Sequence, residues 1–306
     1  MLITAGVTVA LCAVMNGLMV KMISRQVRTN YRKNIVEMIP SYADTISLWN
    51  ANISNGLKMY TESEVVRSGT SAQIVSWMRA SKDRRPENVA YVMFVDSDDN
   101  AWSDEGGATR VTDRSYYKEI IGRDADSYID SPVASRLSGK DVLHICAAAY
   151  NSKKEKIGFF AADVLIDLLQ QKVENEMNVK SGYISVIDGN GRCIINHDPR
   201  FRMQDMTHDP EPGADKVVEG MLARRIGMGV IETAYMGPAD AYYAPVKGCD
   251  WALLFLVPQK QMMGPVVAFI GIAVTLNSIL VIAEVLLCAA WHKIPSEKKE
   301  DFKKIL

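Results

Sequence analysis

The sequence predicts an α+β protein anchored in a membrane: a long N-terminal helix carries two tandem antiparallel-sheet units, and two transmembrane helices flank them. Three observations predict it. Apolar runs stand near both ends of the 306-residue chain. A stripe of apolar residues at steps of three and four follows the first run. Between the stripe and the second run, short β-type segments and helical segments come twice in a similar order.

The first run, Leu2 to Val20, has no charged side chain, and the second, Met262 to Trp291, has one, Glu284. Each can cross about 30 Å of hydrocarbon as a helix rising about 1.5 Å per residue. The first run lacks a basic n-region, and "TNYRKN" beyond it is a poor cleavage site, so it reads as an uncleaved anchor. Two spans put both termini on one side of the membrane and the large middle segment on the other. Lys21, Arg25, Arg28, Arg32 and Lys33 follow the first span; Lys293, Lys298, Lys299, Lys303 and Lys304 follow the second. The positive-inside rule is close to a tie, tipped by the short Lys-rich end towards cytoplasmic termini. The expected place is the inner (plasma) membrane, two-pass, with the middle segment periplasmic or extracellular. A net charge of −1 does not indicate attraction to nucleic acid.

After the first span, Val27, Tyr31, Ile35, Ile39, Tyr42, Ile46, Trp49, Ile53, Leu57 and Tyr60 mark one amphipathic helix. From Lys21 to Tyr60 it would reach about 60 Å, with a kink expected at Pro40. Its single stripe needs a partner surface: its own domain, a second copy of the chain, or both. A second helix is predicted over Ser71–Ala80. "AYVMFVD" then reads as a strand and "SDDN" as a turn. "DVLHICAAAY", "NSKKEK" and "IGFFAADV" read as an antiparallel hairpin, and "LIDLLQQKVENEM" as a helix. The order recurs: "YISVIDGNGRCIINH" is strand–turn–strand, "ADKVVEGMLARRI" a helix, and "GVIETAYM", "AYYAPV" and "WALLFLVP" are strands.

The segment "TDRSYYKEIIGRDADSYIDSPV" places Arg114 just ahead of Tyr116 and Tyr117, with Tyr128 and Asp130 beyond; Asp163 stands near the end of the strand "IGFFAADV", before a helix. With the leading span and long helix, "SGKDVLHICAAAYNSKKEKIGFFAADVLIDLL", "GYISVIDGNGRCIINHDPRF" and "CDWALLFLVPQKQM", this arrangement resembles the double Cache extracytoplasmic sensor domain of bacterial receptors. The resemblance covers nearly the whole chain and implies two PAS-like units on a long helix, with ligand bound in the membrane-distal one. It also implies a solute such as an amino acid, amine, purine or organic acid. In the amino-acid-binding branch an Arg and an aromatic neighbour hold the ligand carboxylate. Carried over, Arg114 and Tyr116 face the carboxylate, and Tyr117, Tyr128, Asp130 and Asp163 line the ammonium side. Tyr116 stands where that branch commonly has Trp, and its upstream tyrosine has only Thr109 or Thr112 nearby. Trp102 and Tyr91 are lesser pocket candidates that also suit a core.

The chemistry fits such a pocket. A guanidinium matches a carboxylate through two parallel hydrogen bonds, and a buried ammonium is held by tyrosine faces and a carboxylate. The residues also admit plainer roles. Arg114 can pair with Asp113 or Asp104 on the surface, and Asp163 can cap the helix that follows it. "DSDDN" begins like a calcium loop, but Ala101 and Gly107 stand where Gly and Glu are needed. His197–Asp198 and His208–Asp209 suit solvated loops better than a metal site. Cys146, Cys193 and Cys249 form no spaced framework; free thiols are expected, with a Cys193–Cys249 bridge as the alternative. Glu284 either sits near the cytoplasmic end or protonates, or else contacts its symmetry mate or Asn277.

The resulting expectation is a dimeric transmembrane receptor of chemoreceptor type for a small-molecule solute, with no cofactor, metal or catalytic role. Its parts are a first span at 1–20, a stalk helix at 21–70, a distal unit at 71–175, a proximal unit at 176–260, a second span at 261–291 and a cytoplasmic tail at 292–306. Since "IPSEKKEDFKKIL" is no kinase, cyclase or methyl-accepting coil, output is expected through a further module or a cytoplasmic signalling partner. A membrane-anchored hydrolase is the enzyme alternative, though G-x-S-x-G, H-E-x-x-H and phosphate-cradling glycine loops are absent. A scaffold that keeps the fold without sensing is the third.

Overall fold

The computed structural model describes residues 2–176 and 182–293. The chain forms two compact units: Ile35–Pro258, and the two terminal segments up to Asn34 and from Gln259. Helix α1 (Leu2–Thr61) includes Pro40 and continues past it, so the expected kink does not break the helix. Ile39 and Ala43 on either side are fully buried; packing of the stripe holds the helix across the proline.

Within the large unit, α1 is followed by α2 (Glu64–Ser68) and α3 (Ser71–Ala80). The start of α3 is fixed by a reciprocal cap: Thr70 Oγ1 accepts from the Gln73 amide, and Gln73 Oε1 accepts from the Thr70 amide. Then come β1 (Val89–Asp96), β2 (Asn100–Ser103), β3 (Ala108–Arg110), and the single turn α4 (Ser115–Tyr117) extended by a π-type turn at Lys118–Gly122. Strands β4 (Ser127–Ile129), β5 (Val133–Ala134), β6 (Asp141–Tyr150) and β7 (Lys156–Leu165) lead directly into α5 (Ile166–Glu176). The second half holds β8 (Tyr183–Ile187), β9 (Cys193–Asn196), α6 (Ala214–Leu222), β10 (Gly227–Thr233), β11 (Gly237–Pro245) and β12 (Ala252–Pro258).

The strands form two antiparallel sheets. The first runs β3-β2-β1-β7-β6-β4, with β5 also on β6, and the second runs β10-β11-β12-β8-β9. Reading β2-β1-β7-β6-β4 beside β9-β8-β12-β11-β10 shows one strand order used twice. The first turn of each sheet is built alike. Asp96 Oδ1 accepts from the Asp98 and Asn100 amides, and Asp188 Oδ1 accepts from the Asn190 and Arg192 amides. "DSDDN" is therefore a turn closed by its own aspartate. Gly158 shows how tightly β7 lies on β1: its φ is +143°, and a Cβ there would stand 2.0 Å from the Val95 carbonyl oxygen.

The buried stripe of α1 serves both sheets. Tyr42 meets Phe255 edge-on at 6.0 Å, Ser47 Oγ donates to the Lys247 carbonyl, and Asn50 lies against Cys249. Higher up, Tyr60 packs on Phe160 at 5.3 Å, which in turn packs on Phe94 at 5.0 Å. Ile46, Leu57 and Tyr60 are fully buried, the two aliphatic side chains contributing about 1.5–3 kcal/mol each. Cys193 and Cys249 are both free, so the bridge between them is not formed.

The terminal unit contains the start of α1, α7 (Gln259–Met262) and α8 (Gly264–Lys293). Among the described residues, one helix is long and apolar enough to cross a membrane, Val266–Leu287. Glu284 accepts a hydrogen bond from Thr8 Oγ1 at 3.4 Å, a partner the sequence did not suggest. Asn277 instead faces a groove with Asn16 and Ser278.

Candidate functional site

Strand registers bring four polar residues of the first sheet into one transverse row. Tyr91 on β1 stands opposite Asp163 on β7, and Asp163 stands opposite His144 on β6. The backbone amide of Asp130, just past β4, donates to the His144 carbonyl. Residues directly opposite in antiparallel strands have Cβ atoms about 4.5–5.5 Å apart, so the row Tyr91–Asp163–His144–Asp130 is continuous. Alternation sets the next row on the same face, Met93, Ala161, Cys146 and Tyr128, which is mainly apolar. The polar row thus lies in an apolar face and is itself buried, with Asp130 and Asp163 at 0% exposure and His144 at 3%.

His144 sits between the two carboxylates. Its Nε2 is 3.2 Å from Asp163 Oδ1 and its Nδ1 is 3.4 Å from Asp130 Oδ2. Asp130 Oδ1 accepts from Ser115 Oγ and the Ser131 amide. Asp130 Oδ2, His144 Nδ1 and both oxygens of Asp163 have no hydrogen-bond partner, so the row is held by charge rather than by aligned bonds. Burial alone would depress the His144 pKa, but the facing carboxylates outweigh it and push it up to about 9. His144 is therefore a cation at neutral pH. Burial, followed by the charge of Asp163, raises the Tyr91 phenol; burial likewise raises Tyr116 and Cys146. All three stay neutral.

Short α4 covers the row. The ring of Tyr116 lies 4.4 Å from the His144 ring. Arg114, the residue before α4, is half-buried and donates to the Ala134 carbonyl at 3.0 Å. Neither surface partner considered for it is taken: Asp113 is held by Arg136 through two contacts, and Asp104 faces Arg85. Ser135, from the loop after β5, shares a 2.5 Å hydrogen bond with the Tyr91 hydroxyl. Tyr91, Arg114, Tyr116, Ser135 and His144 line a small cavity of about 10 Å³, room for about one water.

Of the residues singled out from sequence, Arg114, Tyr116, Asp130 and Asp163 converge here. Asp163 is not a helix cap, because neither of its oxygens is hydrogen-bonded and α5 starts at Ile166. Tyr117 points elsewhere: its hydroxyl donates to Asp99 and its ring packs edge-on against Phe159. Tyr128 belongs to the adjacent row beside Cys146. Trp102 pairs with Phe94, so it stands on the opposite face of the sheet, against α3. His144 and Tyr91 are the members that sequence reasoning underrated. The signal was present, since a histidine at an inward position of the apolar strand "DVLHICAAAY" must find a partner.

The second sheet has its own cavity of about 50 Å³ beside α6, lined by Val218, Met221 and Leu254 among apolar residues and by Asp209 and Glu211 among acidic ones. His197 stacks on Tyr183 at 4.4 Å, and Asp198 is committed to Arg200. Among the described residues, no group of three His, Cys, Asp or Glu side chains could hold a metal ion.

Comparison with known proteins places this architecture. The ligand-binding domain of the Pseudomonas aeruginosa PAO1 amino acid chemoreceptor PctB, in complex with L-Arg, superposes with a TM-score of 0.63 at 13% identity, covering 77% of this chain and 98% of that one. That of the Pseudomonas fluorescens chemoreceptor CtaA, in complex with L-isoleucine, gives 0.63 at 14% identity, covering 78% and 97%. The extracellular domain of the putative histidine kinase rpHK1S-Z16 gives 0.59 at 17%, covering 77% and 98%. Identities this low speak for the fold. No curated protein matches the sequence. The profile of the Cache domain matches residues 18–266, and the chain is a member of the Cache domain family, of the double Cache type.

Proposed function

We propose that the protein is a two-pass, dimeric membrane receptor that binds a small polar solute in its distal Cache unit, at residues 71–175, and signals across the membrane. The solute is an α-amino acid or a related amine carrying a carboxylate. One observation carries the reading: a buried row with two under-satisfied carboxylates lies beneath a half-buried guanidinium. Burying charge without full pairing is unfavourable, and a zwitterion would complete both ends, its carboxylate at Arg114 and its ammonium at Asp163 and Asp130. The complexes of similar fold with L-Arg and L-isoleucine agree with this choice. A 10 Å³ cavity holds no amino acid, so entry requires α4 and the loop at Ser135 to move outward.

The apolar helix at Val266–Leu287 supports the second span, and the uncharged stretch Leu2–Val20 the first. The large unit then lies outside the cytoplasm, and output passes to a cytoplasmic partner or further module. A ligand shifts the receptor only by its difference in affinity between two arrangements. The test is thermal stabilisation of the full chain in detergent by amino acids, amines and organic acids. A saturable rise in melting temperature is expected, lost in Arg114→Ala and in Asp163→Ala, each of which keeps the ligand-free fold. Silence across the panel would sink the sensing reading, and unchanged affinity in both variants would remove the site.

A further inference from the structure

The cation that the two carboxylates face is supplied by the chain itself. His144 fills the space between Asp163 and Asp130 at 3.2 and 3.4 Å, where an ammonium seeking those carboxylates would have to stand. The groups facing His144 from the surrounding elements are few. They are Asp163 on β7, Asp130 after β4, Tyr91 on β1, Tyr116 on α4, Cys146 on its own strand and Arg114 at the rim. The phenols and the thiol are neutral, so the local charge is set by two carboxylates, the guanidinium and the imidazole. Tyr116 lies against the ring at 4.4 Å and His144 is 3% exposed, so the imidazole cannot swing into solvent while α4 is in place. A second cation entering the row would meet the first within one enclosure, sharing the same pair of carboxylates.

Resting on the solute-binding reading above, we propose that the charge of His144 is a displaceable stand-in for the ligand's ammonium group: once α4 has moved outward, an amino-bearing solute binds beside the imidazole, against the same two carboxylates, as His144 gives up its proton to water. The exchange balances. One positive charge leaves as a hydrated proton, one arrives as R–NH3⁺, and the row keeps its charge. The freed imidazole nitrogen then accepts a hydrogen bond from the ammonium. Binding is thereby coupled to pH. Affinity rises about tenfold per pH unit while His144 is protonated and levels off where it is already neutral. The site also selects ligand class, because a carboxylic acid without an amine gains nothing from proton release.

The measurement is isothermal titration of the full chain in detergent with the proteinogenic L-amino acids and γ-aminobutyrate, at pH 7, in phosphate and in Tris. The two buffers differ in ionisation heat, so the difference between them counts protons. About one proton released per amino acid bound is expected for the wild type. The release should vanish, and the pH dependence flatten, in His144→Gln. Binding by the wild type with no proton release and no pH dependence between 6 and 8 overturns this inference while leaving the solute-binding reading intact. Heat from none of these probes removes that reading and the inference with it. Should His144→Gln fail to fold, the wild-type proton count decides the question.

Discussion

Protein stability between pH 6.5 and 8.5 tests the charge state of the buried row without any ligand. The folded protein holds the His144 proton up to about pH 9, against an ordinary value of 6.5. Its raised pKa contributes stability that is fully present below about 6.5 and is lost as pH rises through about 9. Within the window the native state binds about one proton more than the unfolded chain, so stability falls by about 1.4 kcal/mol per pH unit. Over two units the loss is about 2–3 kcal/mol, or roughly 4–12 °C in melting temperature for a unit of this size. Burial raises Tyr91, Tyr116 and Cys146, so these groups lose stability only at higher pH. The assay is circular dichroism melting of the full chain in detergent, for wild type and His144→Gln. The variant should be less stable at pH 6.5, because both carboxylates lose their cation, and should show little slope. A wild-type melting temperature that is level across the window, or a variant with the same slope, refutes a protonated His144.

Three further outcomes follow from packing. Gly158→Ala should lower stability by about 2–4 kcal/mol, since its Cβ would press on the Val95 carbonyl at a positive φ; urea denaturation measures it, and wild-type stability would contradict the register. Arg85 contacts Asp104, Glu105 and the Ala90 carbonyl. Arg85→Met should destabilise by about 3 kcal/mol at pH 7 and by less as pH falls, since burial raises Asp104 and makes it take up a proton more readily than an ordinary carboxyl; a loss that stays constant as pH is lowered refutes this. Arg202 donates to Asp167 and Gln170 on α5, both at 2.5 Å. In Arg202→Ala, hydrogen exchange should quicken in α5 and not in β7; unchanged exchange in α5 would show that this contact holds nothing.

Elements set by local chemistry were legible in the sequence. The helix predicted over Ser71–Ala80 forms over those residues as α3, behind a Thr70 cap that the structure adds, and the hairpin of β6 and β7 follows from two apolar runs around "NSKKEK". Long-range register was not legible. Tyr91 and Asp163 are far apart in sequence, and alternation alone leaves open which residue of one strand meets which of the next. The same parity placed Trp102 on the far face with Phe94 and turned Asp163 inward rather than onto the helix that follows. Tyr116 and Tyr117 could be separated in advance only as a pair, since adjacent residues on one turn cannot share a direction. Which one faces His144 depends on how α4 lies on the sheet.

The join between β7 and α5 has a mechanical consequence. Strand passes to helix at Leu165–Ile166 without an intervening residue, and Asp163 lies only three positions before the helix begins. Arg202, from the second sheet's side, grips the first turns of that helix, while Arg192 reaches the Pro132 carbonyl, two residues past Asp130. Each carboxylate flanking His144 is thus a short, stiff stretch of backbone away from an arginine tether on the second sheet's side of the same unit. A push of a fraction of an ångström on either acid has little slack in which to dissipate before it tugs on the other half of the molecule.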